Sequence, residues 1–314
     1  MGLFTRTKKS DGWLAIALSG DAACAVHVRR VSSGTPVVTL ATCHAAAADS
    51  VEAALEKLAR ECHADRHQCT TLLSSREYQI LSVDSPSVPP AELKTAIRWR
   101  LKDLLDYHVD DATIDVLDIP QEKNAPPRSH PMYAIAARSA IIEQRQALFG
   151  QARIPLSVID IPEMAQRNIA ALLEPPGRGI ALLSFDAEGG LLTFSAGGEL
   201  YLARHIDVPL AGQSGAEQRD AAFDRITLEL QRSLDHFDRQ YHYVTLAKLV
   251  LAPLGPDGAG LREHLSENLY TPVEALDLDG VLDLSAAPAL RQAEQQQRYF
   301  LALGAALRIE EKVL

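Results

Sequence analysis

The sequence predicts an α/β protein made of two similar lobes, and three observations carry that reading. Each half of the chain runs through the same order of elements: three strands, a helix and a further strand. A stretch from about residue 75 to 133 interrupts the first half with elements of its own. The apolar share of 47% over 314 residues is enough for a sizeable core and is ordinary for a globular protein.

In the first half, Trp13 to Leu18 and Ala23 to Arg30 read as strands around a Ser19-Gly20-Asp21 turn. Ser32-Ser33-Gly34 marks the next turn and Val37 to Cys43 a third strand. A helix follows with Asp49 or Ser50 as N-cap and Val51, Leu55, Leu58 and Cys62 on one face. Thr70 to Leu73 is a short buried strand. The second half repeats the plan. Ile180–Phe185, Leu191–Ser195 and Glu199–Ile206 are strands joined by the Asp186–Gly190 and Gly197-Gly198 turns. A long helix from about Ala216 to Tyr241 carries Phe223, Ile226, Leu230, Leu234 and Phe237 in register. Strand Leu246–Leu251, a helix near Gly260, strand Val273–Leu276 and a last helix from Gln292 to about Ile309 complete it. The halves join near Glu174–Gly179.

The interrupting stretch opens with a strand (Tyr78, Ile80, Leu81, Val83), which Pro86, Pro89 and Pro90 stop. Pro90 suits a first helical turn, where its missing N–H costs nothing. Leu93, Ile97, Leu101, Leu104 and Leu105 then make one apolar stripe, with Lys94, Arg98, Arg100 and Lys102 opposite. From Ile114 to Ile119 the period becomes two, as in a half-buried strand. Further on, a strand starts at Tyr133, a helix spans Ser139 to Gly150, a strand Leu156 to Ile161, and another helix follows Pro162.

A formal net charge of −10 opposes sequence-independent nucleic-acid binding, which needs a basic surface. The basic face at Lys94–Lys102 reads as a solvated helix face, with a lipid or partner contact as the other reading. No run reaches the roughly eighteen apolar residues that span a bilayer. Met1-Gly2-Leu3-Phe4, with Arg6, Lys8 and Lys9, lacks the apolar region of a secretory signal, and Arg6 fills the place a myristoylation signal gives to Ser or Thr. Cys24, Cys43, Cys62 and Cys69 form no CxxC pair, so reduced thiols are expected.

The order and identity of several residues resemble the PilM family of type IV pilus assembly proteins, and more closely its MshI branch. They are Pro86–Pro90 with Glu92-Leu93, Ala96-Ile97-Arg98-Trp99, Asp115, Ala136-Ala137-Arg138, Ala152 before Val158-Ile159-Asp160, and Ala165 before Arg167. Ala302-x-Gly304-Ala305-Ala306-x-Arg308 is similar to the family's closing helix. The resemblance implies a two-lobed actin-like (RNase H-like, duplicated) fold with an FtsA/PilM-type inserted subdomain at about 75–133. Lobe one then covers 1–174 and lobe two 175–314, with helix 292–309 packing back on lobe one. It further implies a cytoplasmic scaffold of an MSHA-like pilus platform, held at the inner membrane by a single-pass protein of the PilN or MshJ type beside other platform proteins. That partner's N-terminus is expected along the faces of Ile80, Val83, Ile97, Trp99 and Leu101 and the strand carrying Ile114 and Val116. Trp99, two residues from Ile97, lies off the apolar stripe and is the sharpest candidate.

In ATP-binding relatives, carboxylates in the two first hairpins orient Mg²⁺ and glycines let backbone N–H groups reach phosphate. Aligned by strands, this chain has Ala17, Ser19 and Cys24 at the first Asp, Gly and Lys positions. Ser184 and Asp186 stand at the second Asp and Gly, and Ala252-Pro253-Leu254-Gly255 replaces the adenine-side glycines. The implied site, Ser19, Gly20, Asp21, Asp186 and Gly189, is therefore vestigial, with no cofactor, or at most ATP and Mg²⁺. A one-residue slip that brings Asp21 and Asp186 into play gives the alternative: an active actin-like ATPase or small-molecule kinase binding MgATP between the lobes. Saturable MgATP binding that disappears in Asp21→Ala or Asp186→Ala marks that alternative. A filament-forming FtsA-like protein is disfavoured, since Glu310-Glu311-Lys312 is too short and acidic for a membrane anchor.

Two further clusters read as structural. His63 and His67 at helical spacing beside Cys62 and Cys69 fit no established zinc pattern. Asp235-His236 and Tyr241-His242-Tyr243 end a long helix, where His suits the dipole.

Overall fold

The fold is given by a computed structural model, which describes residues 11–19, 22–31, 34–45, 50–122, 130–212 and 215–309. The expected turn residues Gly20, Asp21, Ser32 and Ser33, Asp49, and the two chain ends lie outside the described residues. The strands β1 (Trp13–Ser19), β2 (Ala22–Arg29) and β3 (Val37–Ala45) lead to α1 (Val51–Glu61) and β4 (Gln68–Leu72). Ser50 caps α1 by accepting from the Ala53 N–H. The interrupting elements are β5 (Tyr78–Asp84), α2 (Pro90–Leu101), β6 (Ala112–Asp118) and β7 (Pro131–Arg138). Then come α3 (Ser139–Gln151), β8 (Leu156–Asp160) and α4 (Pro162–Ala170). The second half is β9 (Gly179–Phe185), β10 (Gly190–Ala196), β11 (Glu199–Ile206), α5 (Ala216–Gln240), β12 (Leu246–Leu251), α6 (Leu261–Asn268), β13 (Val273–Ala275) and α7 (Ala293–Ala306).

The two main sheets have one topology. The first is ordered β3-β2-β1-β4-β8 and the second β11-β10-β9-β12-β13. In each, an antiparallel meander of three strands is followed by two parallel strands, β4 and β8 or β12 and β13. A parallel return needs a crossover, and helices supply it in both halves. The interrupting stretch makes a separate antiparallel sheet, β5-β7-β6.

The register overturns one expectation. β2 and β3 place Cys24 directly opposite Cys43, their Cα atoms 4.0 Å apart, and the two sulfurs are bonded as a disulfide. Nineteen residues separate them in the chain. Only strand pairing, which spacing does not reveal, makes them neighbours. Cys62 and Cys69 are buried and take no part in that disulfide.

One apolar cluster runs from the first sheet (Val26, Val28, Val38) through α4 and α7 to the second (Ile180, Leu182, Val250). Helix α7 reaches that position by crossing α4 closely. At Gly304 a Cβ would run into the Ala165 carbonyl oxygen, and Asn168 Nδ2 donates to the Gly304 carbonyl at 2.9 Å. Past the helix, Arg308 Nη1 bonds the buried Asp160 carboxylate at 2.7 Å, and Arg30 donates to the Leu307 carbonyl through Nε and Nη2. Burial raises the Asp160 carboxyl, and the Arg308 charge opposes that shift.

Gly304→Ala is therefore expected to lower stability by about 1–3 kcal/mol through overpacking, read as a lower urea midpoint. A second expectation concerns His27, which is 5% exposed with its ring centroid 4.3 Å from that of His67. Burial, helped by the His67 ring, pushes its imidazole down to about 4 from 6.5. Between those values the unfolded chain takes up a proton that the folded chain refuses, so stability falls as pH drops through this window. The loss is on the order of 3 kcal/mol, and His27→Gln should flatten the slope of urea midpoint against pH.

Candidate functional site

Of the residues expected around a nucleotide, Ser19, Asp186 and Gly189 serve their own turns, and Gly20 and Asp21 lie outside the described residues. Asp186 Oδ1 accepts from the N–H groups of Glu188 (2.8 Å) and Gly189 (3.1 Å). Those donors are thus consumed inside the β9–β10 turn. Gly189 has φ +151°, and a Cβ there would strike the Ile206 carbonyl, so close approach to β11 explains this glycine. Ser19 Oγ donates to the Ala22 carbonyl at 3.2 Å across the β1–β2 turn. Ser184, at the position of the second carboxylate, donates to Gln166 Oε1 at 2.7 Å. Cys24, at the lysine position, is tied to Cys43.

Gln166 and Glu163 show where the polar chemistry has gone. Both are fully buried on α4, the segment linking the first sheet to the second. Gln166 Nε2 lies within hydrogen-bond reach of the Leu182 carbonyl (2.5 Å), the Leu191 carbonyl (3.1 Å) and Thr193 Oγ1 (3.0 Å). It stitches α4 to β9 and β10. Glu163 Oε2 accepts from the Tyr78 hydroxyl at 2.5 Å. Its Oε1 has no hydrogen-bond donor among the described residues, but His205 Nε2 lies 3.4 Å away, close enough for an ion pair and not aligned for a hydrogen bond. Three parts of the chain, β5, α4 and β11, therefore meet at one carboxylate. Contact with Glu163 raises the His205 imidazole, against the burial that lowers it. Burial first, then the Glu163 charge, pushes the Tyr78 hydroxyl far up, so it stays a donor.

The three-stranded sheet has two different faces, because strand side chains alternate. Val83, Met132, Ala134 and Ala136 face α2 and pack with Ile97 and Leu101, joined by the half-buried Ile114 and Val116. The other face, with Tyr78, Ile80, Tyr133 and Ile135, turns toward the two lobes. The seven residues expected to dock a partner are thus divided. Val83, Ile97 and Leu101 fill an interior, Ile80 lies on the opposite face of the sheet, and Trp99 is 71% exposed on α2. The helix ends at Leu101, earlier than its stripe implies, and leaves Leu104 exposed. Lys94 pairs with Asp115 at 2.8 Å, and Arg98 donates to the carbonyls of Val109 and Ala112.

Tyr133 also reaches the second sheet. Its hydroxyl donates to the Tyr201 carbonyl at 3.3 Å and accepts from the Ala203 N–H at 3.2 Å. Burial pushes this hydroxyl up to about 12, so it too remains protonated near neutrality. Sequence reasoning missed Tyr78, Glu163, Gln166, Tyr133 and His205. An acidic residue after Pro162 looks like ordinary dipole pairing in a first turn, and a lone Tyr or Gln carries no pattern.

The two clusters read as structural occupy plain positions. Helix α1 stops at Glu61 and His63 adopts φ +48°, so His63 and His67 do not share a helical face. Tyr241 packs edge-on to Tyr201 beside the stacked Phe194–Phe237 pair.

Glu163→Gln keeps an acceptor for Tyr78 while removing the charge beside His205. The His205 pKa should then fall toward 6.5, followed by its ring resonances in an NMR titration. Because the native pKa is raised, the stability linked to this contact is fully present below 6.5 and is lost as pH rises through the folded value. The variant should lack that pH dependence.

No protein-family model matches the sequence, and no curated protein matches it. Among solved structures, the chain is similar to one in a "PilM-PilN type IV pilus biogenesis complex", at 19% identity and a TM-score of 0.71. That match covers 94% of this chain and 98% of the other. It is also similar to a Bacteroides thetaiotaomicron protein described as having an actin-like ATPase fold and unknown function, at 10% identity and a TM-score of 0.51, covering 93% of this chain and 99% of that one. At such identities the likeness establishes architecture alone. The chain has an actin-like ATPase fold.

Proposed function

We propose that this protein is a scaffold of the inner-membrane assembly platform of a type IV pilus, a PilM-like protein of the MSHA-type (MshI) branch. It binds the cytoplasmic N-terminus of a single-pass membrane protein of the PilN or MshJ type, within reach of other platform proteins. The observation that supports this reading best is the end-to-end likeness to a chain of the PilM–PilN complex, which spans the three-stranded insert as well as both main sheets. We divide the chain into lobe one (1–174, with the insert at about 75–133) and lobe two (175–314). In this reading the protein lies in the cytoplasm and meets the membrane through its partner. Among the described residues no helix is long and apolar enough to cross a membrane.

The nucleotide site is vestigial in this proposal. Its supports are the inward use of Asp186 and Ser184 and the tethering of Cys24, which leave the hairpins without free metal-orienting groups at those three positions. A scaffold needs no turnover; it needs a fixed surface. Trp99 is the most exposed of the candidate docking residues, and exposed aromatic anchors commonly dominate binding energy.

The deciding experiment is calorimetric titration of the full chain with a synthetic peptide of the N-terminal cytoplasmic segment of a PilN-type protein from the same organism. Trp99→Ala is expected to weaken binding about tenfold to thirtyfold while shifting stability by no more than about 0.5 kcal/mol. Equal binding by the variant removes Trp99 from the groove. Absence of binding by the wild type, together with mild crosslinking in cells that captures no membrane protein, overturns the scaffold reading.

A further inference from the structure

Among the described residues the second sheet is open at β11, which has β10 on one side only. An open strand edge presents unpaired N–H and C=O groups and is a liability that folds usually cover. Here one side chain covers part of it. Tyr201 and Ala203 are two residues apart, so their main-chain groups point the same way, and the Tyr133 hydroxyl satisfies both the Tyr201 carbonyl and the Ala203 N–H. Tyr133 is 5% exposed and belongs to the apolar cluster of the second sheet, although its strand, β7, is the centre of the insert. Ile119 (2% exposed), from the same insert, sits in that cluster too, with Ile80, Leu117 and Ile135 packed against it.

Further contacts run along the same seam. The Tyr243 hydroxyl of lobe two donates to the Pro120 carbonyl at 3.0 Å. At the other end, Ser75 Oγ donates to Glu188 Oε2 and Arg76 Nε pairs with Glu188 Oε1, both at 2.7 Å. Between them lies the Tyr78–Glu163–His205 junction. An insertion in lobe one is therefore bonded to lobe two at three separate points, and at a fourth it reaches His205 of lobe two through Glu163 of α4.

We propose that the three-stranded insert is a strap: it spans from lobe one to lobe two and masks the open edge of β11, with the Tyr133 hydroxyl as its fastening. The lobes are joined through α4 and α7 on one side and through the strap on the other. Release of the strap leaves the Tyr201–Ala203 edge unpaired. The inference stands on these contacts alone, whichever partner the protein binds.

The test is hydrogen–deuterium exchange on the full chain, comparing wild type with Tyr133→Phe and with Glu188→Ala. Phenylalanine keeps the ring in its apolar site and removes only the two hydrogen bonds. Glu188→Ala cuts the far end of the strap, and its carboxylate bonds the insert and not β11. Both variants are expected to speed exchange of the Ala203 amide and of the β7 amides about tenfold, with β9 and β12 unchanged. Three results overturn the proposal. One is unchanged exchange at Ala203 in Tyr133→Phe. Another is an equal rise throughout the second sheet, which makes Tyr133 ordinary core support. The third is an effect of Glu188→Ala confined to its own turn, which means that the contacts do not open as one unit.

Discussion

The close crossing of α4 and α7 is the constraint on which the rest of this structure depends. Each main sheet can bury one face under its own helices, α1 and α3 or α5 and α6, and the other faces share one cluster built around α4 and α7. The helices can fill that space only if their backbones approach, and Gly304 against Ala165 allows it. Nothing wider than a hydrogen fits there. The stretch just past α7 is then tied down twice, by Arg308 on Asp160 and by Arg30 on the Leu307 carbonyl. Burying Asp160 without a cation would be costly, so the ion pair and the helix position require each other.

That crossing also explains why so many polar side chains of α4 are interior. Seven of its nine residues are buried, among them Glu163, Gln166 and Asn168. In a low-dielectric interior a polar group needs a partner, and a satisfied one specifies a single arrangement. Gln166 and Asn168 are satisfied and act as cross-links to the second sheet and to α7. Glu163 is only half satisfied, which leaves its second oxygen to His205. Asp186, Ser184, Gln166 and Glu163 bond to the protein itself, and side chains next to and within the insert bond Glu188 and Glu163.

The insert is sheltered on both faces, by α2 on one and by the lobes on the other. What the insert leaves exposed includes Trp99 on α2 and Leu104 just past that helix, both large apolar side chains. Docking through Ile97 or Leu101 would need that interior to open. Docking through Trp99 needs nothing to move.

By itself the sequence determined the element order, the duplicated plan and the place of the insert. Apolar periodicity and the punctuation of Pro90, Gly197-Gly198 and Ser50 are local signals, and local dihedral preferences and side-chain periods act over a few residues. It also marked Trp99 as off the stripe of its helix, since that follows from helical geometry alone. What only the tertiary structure decided were the partners: Cys24 with Cys43, Glu163 with Tyr78 and His205, Tyr133 with the edge of β11, Gly304 with Ala165. Each joins positions far apart in the chain. Each depends on strand register or helix crossing, and those are fixed by how whole elements fill a shared core, a property that no short stretch of sequence contains.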